Sequence, residues 1–140
     1  MQKLQNIKNN TQFIETENNV INNIFNTVML VYKDKNIQWN LYLESSLLEI
    51  ESLDLAIILD SLLKLVIENI DTNKEVVVFK TREKSKFYYL SLSFYCKDKS
   101  ETELYPLLLE NVIRKYSGEM IIKTKNNKTY CDILLKKKKG

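Results

Sequence analysis

The stretch "DLAIILDSLLKLVIENI", Asp54 to Ile70, constrains this chain more than any other. Its spacing predicts a helix over 54–69. Only Asp54, Asp60, Ser61, Lys64, Glu68 and Asn69 interrupt an apolar surface that runs almost all the way round. A helix of that kind must be covered on several sides at once. It is not a membrane span, because its charges break every apolar run well short of the roughly 18 to 20 residues a bilayer requires. A chain of 140 residues supplies one core, not two independent ones. The helix is therefore expected between a sheet and other helices.

The flanking residues supply those layers. Ile21, Ile24, Phe25, Val28, Met29 and Tyr32 recur at helical spacing and predict an amphipathic helix over 19–34. "IQWNLYL" alternates Ile37, Trp39, Leu41 and Leu43 on one face, the pattern of a half-buried strand. Ser52 or Asp54 is expected to cap the central helix. "EVVVFKTRE" and "KFYYLSLSFYC" read as β-branched and aromatic strands joined near "REKS". In the second, Tyr88, Leu90, Leu92, Phe94 and Cys96 form a core face, and Phe87, Tyr89, Ser91, Ser93 and Tyr95 the opposite one. Residues 103–116 predict a third helix, with Pro106 in its first turn and Gly118 in the C-terminal stop position. "EMIIKTK" and "TYCDILLKK" close the chain as a hairpin turning at "NNK". This order implies an α+β fold, a two-layer α/β sandwich whose mixed sheet of about five strands carries about three helices on one face. Residues 1–18 form a lead-in, either a weak helix or a loose segment. Residues 19–136 form the domain, and residues 137–140 end it as a solvated basic tail.

Composition narrows the chemistry. With 44% hydrophobic and 28% charged residues and a net charge of +3, the chain is ordinary for a soluble domain. It has no histidine, which removes imidazole catalysis, imidazole metal ligation and any phosphohistidine relay within this sequence. Cys96 and Cys131 are far apart, and buried free thiols are expected rather than a zinc or redox pair. Two glycines and one proline leave few places where backbone could approach a phosphate closely. "MQKLQNIKNN" has no apolar segment of signal-peptide type, so a cytoplasmic location is expected. Asn19 with Asn23, and Asn22 with Asn26, are read as solvent-facing or capping amides.

Three stretches carry a resemblance to the GHKL, or Bergerat, ATP-binding domain of gyrase, heat-shock chaperones and histidine kinases. They are "NNVINNIFNTVMLVYKDKNIQWNLYLE", "DLAIILDSLLKLVIENI" and "LLLENVIRKYSGEMIIKTKNNKTYCDILL". Among these the chain most resembles the catalytic domain of peptide-sensing kinases of the accessory-gene-regulator type. The similarity spans roughly residues 19–135 and includes the tyrosine–small–glycine turn at Tyr116, Ser117 and Gly118. The segment before Asn19 resembles the end of that family's dimerisation helix, without its histidine.

The resemblance implies a nucleotide site whose polar groups are missing. The asparagine that holds magnesium falls on Leu65, which offers no oxygen to a hard cation. Its partner asparagine falls on Ser61, and the alanine that admits the nucleotide falls on the larger Val66. The adenine-recognising aspartate matches Asp98, but no glycine follows it. The phosphate-cradling lid is deleted: only a short connection, Cys96 to Tyr105, joins strand to helix, and Pro106 has no N–H to donate. Leu62, Leu65 and Val66 are expected to fill the space left, each adding roughly 1.5 to 3 kcal/mol if buried.

The resemblance therefore implies a degenerate ATPase-like domain, without cofactor or metal. Its work would be binding a protein such as a sensor kinase, a response regulator or a second copy of itself. The alternative is a divergent but functional ATP-binding catalytic domain of a sensor histidine kinase, using ATP and Mg²⁺ through Ser61, Asp98 or a backbone carbonyl. A third reading, nucleic-acid binding through the aromatic outer face of "KFYYLSLSFYC", lacks a basic stripe in the sequence and is set aside.

Overall fold

The computed structural model describes residues 6–7, 14–97 and 107–137. A two-residue strand, β1 (Asn6–Ile7), is followed by α1 (Asn19–Val31), β2 (Gln38–Leu43), α2 (Ser52–Asn69), β3 (Val76–Lys84) and β4 (Phe87–Tyr95). Then come α3 (Leu107–Lys115), β5 (Glu119–Lys125) and β6 (Lys128–Lys136). The strands form one sheet in the order β1-β2-β3-β4-β6-β5. Among the described strands only β2 and β3 run parallel, and α2 makes the crossover between them, as a parallel pair requires. The mixed sheet and three helices expected from the sequence are present, with β1 as a short extra strand. Asn6 and Ile7 pair with Tyr42 and Leu41, so these lead-in residues are strand where a helix or loose segment was expected.

The alternation of the strands explains the layers. Trp39, Leu41, Val77, Phe79, Leu90, Leu92, Phe94, Cys131 and Ile133 all lie on one sheet face, inside a single buried cluster. From the helices, Phe25, Ile58, Leu62 and Val66 enter the same cluster. Phe25 is its hub, its ring 5.2 Å from Phe79 and edge-on to Trp39 at 6.3 Å. Both cysteines are buried free thiols, as expected.

Local chemistry sets the joints, and several differ from expectation. Asn18 caps α1, its side chain accepting from the N–H groups of Val20 and Ile21 and donating to the Ser46 carbonyl at 2.7 Å. Asn22 and Asn26 neither cap nor face solvent freely. Asn22 accepts the Thr16 N–H at 2.7 Å and donates to the Thr16 carbonyl at 3.0 Å; Asn26 repeats this with Ile14 at 2.7 and 3.0 Å. The two amides tether the lead-in along α1. Asn19 and Asn23 are exposed. The N-cap of α2 is Glu51, which makes no side-chain cap, rather than Ser52 or Asp54. At the hairpin, Asn126 and Asn127 both take positive φ, 54° and 64°, as a two-residue primed turn demands.

Candidate functional site

Of the residues that the resemblance assigns to a nucleotide site, Ser61 and Leu65 lie along one side of α2. In a helix, positions seven and four apart return to nearly the same direction. Asp54, Ser61, Leu65 and Asn69 are spaced in this way, and Asp54 shows which side they share, because it reaches α3. Ser61 and Leu65 are half-buried, and Leu65 packs against the core. Leu62 and Val66 lie on the adjacent side, facing the sheet, with 2% and 0% of their surface exposed. The carboxyl end of α2 closes this side: Asn69 donates from its amide to the Leu65 carbonyl at 2.9 Å, and its own carbonyl accepts the Lys97 N–H at 2.9 Å. Asp98, Pro106 and most of the short connection lie outside the described residues.

The structure thus groups Ser61 and Leu65 on the surface that looks toward α3, while Val66 belongs to the core. No oxygen-bearing side chain occupies the Leu65 position. A group presenting magnesium from this side of α2 would meet a hydrocarbon side chain there, flanked one turn away on either side by the Ser61 hydroxyl and by the Asn69 amide, which is bonded to the Leu65 carbonyl.

One polar cluster at the start of the same stripe was not singled out in the sequence. The buried Tyr116 hydroxyl donates to Asp54 Oδ2 at 2.7 Å and accepts the Glu51 N–H at 3.1 Å. Lys115 Nζ lies 2.8 Å from the same Asp54 oxygen and 3.0 Å from Glu51 Oε1. This cluster clamps the amino end of α2 to the carboxyl end of α3. Tyr88 on β4 makes a similar bond to the segment before α2, its hydroxyl accepting the Glu49 N–H at 3.3 Å. The available signal was Asp54 itself, a carboxylate at the start of an otherwise largely apolar helix and on the side that also carries Leu65.

These groups give the fold an alkaline limit. Burial, and then the Asp54 carboxylate it faces, raise the Tyr116 phenol above its ordinary value; burial also raises Tyr88. Burial and the neighbouring Asp132 push the Cys131 thiol up from 9.0 to about 12. Hydrogen bonds to Asp54 and Glu51 raise Lys115. In each case the folded chain holds a proton that the unfolded chain has already released, so stability is complete below the unfolded value and falls as pH rises. Urea midpoints are expected to be level near neutrality and to drop progressively from about pH 9, where an unfolded thiol ionises. Tyr116→Phe is expected to cost about 1.5 to 3 kcal/mol at pH 7, the range for a hydrogen bond to a charged group, and to shallow the alkaline drop. A flat profile from pH 8 to pH 11 would contradict this assignment.

No protein-family model matches the sequence, and no curated protein matches it either. Solved structures do. The mycobacterial sensor histidine kinase MprB superposes with a TM-score of 0.65 at 12% identity, covering 85% of this chain and 93% of that one. The nucleotide-free catalytic domain of the histidine kinase ThkA gives 0.66 at 11% identity, over 85% and 92% of the two chains. The Acinetobacter baumannii histidine kinase AdeS gives 0.60 at 9% identity, covering 99% of this chain and 70% of that one. The chain has the fold of histidine-kinase catalytic domains. Among the described residues no helix is long and apolar enough to cross a membrane.

Proposed function

We propose that this histidine-kinase-type ATPase-like domain has lost its nucleotide chemistry and acts as a protein-interaction module in cytoplasmic signal transduction. The observation that carries this reading is Leu65. It stands on the side of α2 that looks toward α3, packed against the core, at the position where the resemblance places the magnesium-binding asparagine. Magnesium takes oxygen ligands in near-ideal octahedral geometry, and a leucine supplies none. Val66, fully buried beside it, stands where the resemblance places a smaller residue that admits the nucleotide. Candidate partners are a sensor kinase of the peptide-sensing, accessory-gene-regulator type, its response regulator, or a second copy of this chain. Holding such a partner in one conformation would shift its population between states without any reaction in this chain.

The competing reading, a divergent domain that still binds ATP with Mg²⁺, rests on the Ser61 hydroxyl, which lies on the same stripe, and on Asp98. Thermal unfolding with and without ATP and Mg²⁺ separates the two. A ligand at 100 times its dissociation constant stabilises the folded state by about 2.7 kcal/mol, a shift of several degrees in Tm for a domain of this size. No shift at millimolar ATP is expected. A magnesium-dependent upward shift would establish the competing reading instead.

A further inference from the structure

The sheet has a second face, opposite the helices, and no described element packs on it. Strand register shows what it carries. Tyr42, Lys80, Ser91, Asp132 and Ile121 stand in one row across the strands, and Arg82, Tyr89, Leu134 and Glu119 in the next. These central rows border an open trough of about 590 Å³, where Lys80 and Arg82 face Glu44, Glu119 and Asp132. The charges there offset one another.

The end of the face is different. Tyr95 pairs with Lys128, Lys128 with Lys125, and Tyr130 with Lys123. Lys128 Nζ lies 5.1 Å from the Tyr95 ring centre and 5.4 Å from that of Tyr130. Lys74, arriving from the turn before β3, brings a second ammonium 4.8 Å from the same Tyr95 ring. Lys74, Lys123, Lys125 and Lys128 form no salt bridge with any described residue. Two ammonium groups, of Lys74 and Lys128, thus lie at two tyrosine rings, and Lys123 and Lys125 hold the neighbouring register positions on β5, with no carboxylate among the described residues paired to any of the four.

We propose that this lysine–tyrosine end of the open sheet face docks an acidic segment of a partner protein. The inference deepens the protein-interaction reading above and rests on it. Charge decides among the occupants. A second copy would bring the same four cations against this cluster, which repels. A single strand of nucleic acid binds such faces by laying bases on aromatic rings. Here the Tyr95 and Tyr130 rings already carry ammonium groups, which a stacked base would have to move off the ring faces. A carboxylate can pair with the same ammonium groups while they stay over the rings. Carboxylates from an acidic segment are therefore favoured over stacked bases.

The test uses the full chain and two fluorescein-labelled probes of equal charge, a peptide of repeating Glu-Glu-Leu and an oligothymidylate, followed by anisotropy at 50 and 200 mM salt. The peptide is expected to bind more tightly than the oligonucleotide and to weaken at the higher salt. Lys123→Glu with Lys125→Glu, both on exposed positions of the edge strand β5, is expected to reduce its affinity roughly tenfold or more. Lys74→Glu, from a different segment, should also weaken it. Lys64→Glu with Arg114→Glu, exposed on α2 and α3, makes the same change of charge and should leave most binding intact. Matching Tm values for all variants show that folding is unaffected. Tighter oligonucleotide binding, no peptide binding, or equal losses in the helix-layer control would overturn the proposal. Because ATP protection is a separate measurement, a domain that binds nucleotide yet loses the peptide with Lys125→Glu would sink only the degenerate-site reading.

Discussion

Phe25→Ala is expected to destabilise the domain by about 3 to 5 kcal/mol, the range for removing a large aromatic side chain from a packed core. Phe25 is fully buried and touches both halves of the fold: Trp39 on β2 edge-on, and Phe79 on β3 at 5.2 Å. Its ring joins the first helix to the parallel pair of strands, the pair whose crossover is α2. Truncation would leave a cavity between layers that cannot close without moving a helix. With total stabilities of about 5 to 15 kcal/mol for domains in general, that loss is a large fraction. Equilibrium urea unfolding followed by tryptophan fluorescence measures it directly, since Trp39 is the sole tryptophan and lies against the substituted position. Phe25→Leu, which keeps more of the volume, is expected to lose clearly less. Equal losses for both variants, or a loss under 1 kcal/mol for alanine, would mean that Phe25 does not hold the layers together.

That prediction draws on the features of the fold most legible in the sequence. The period of two in β2 and β4 and the near-continuous apolar surface of α2 follow from burial alone, and burial is recorded residue by residue. Where contacts join distant main-chain groups, the sequence is silent. Asn22 and Asn26 are ordinary helix-surface residues until the lead-in folds back and offers Thr16 and Ile14 to their amides. Strand β1 exists because β2 presents a free edge, which no local pattern in two residues can announce. The candidate site divides in the same way. Ser61, Leu65 and Val66 were legible through the resemblance of one helix, whereas the Asp54–Tyr116 clamp joins residues 62 positions apart. On the open face the alternating aromatics of β4 could be read directly. The lysines around them could not, because strand register gathers them from β5, β6 and the turn before β3.

Gly118 shows how the same residue can be assigned the right place for the wrong reason, and it carries the second large prediction. A glycine after a helix ordinarily supplies the left-handed residue of the stop. Here Ser117 does so, with φ of 51°. The Gly118 N–H reaches the Ile113 carbonyl at 2.9 Å and the Ser117 N–H the Arg114 carbonyl at 3.0 Å, the paired bonds of a Schellman motif. Gly118 is required instead by close packing. A Cβ there would overlap the Leu134 carbonyl oxygen, lie 2.9 Å from Leu135 Cδ2 and meet Ile113 at 3.3 Å. The first of these is backbone held in the β5–β6 ladder and cannot swing aside. Gly118→Ala is therefore expected to cost about 1 to 3 kcal/mol as overpacking, towards the upper end because main chain must move. Ser117→Gly should have the opposite sign, relieving a left-handed side chain that costs about 1 to 2 kcal/mol, less the extra freedom glycine gives the unfolded chain. Urea midpoints of the two variants decide between the roles. If Gly118 were the left-handed cap, only its replacement would be harmful and Ser117→Gly would bring no gain; the geometry requires loss at one position and gain at its neighbour.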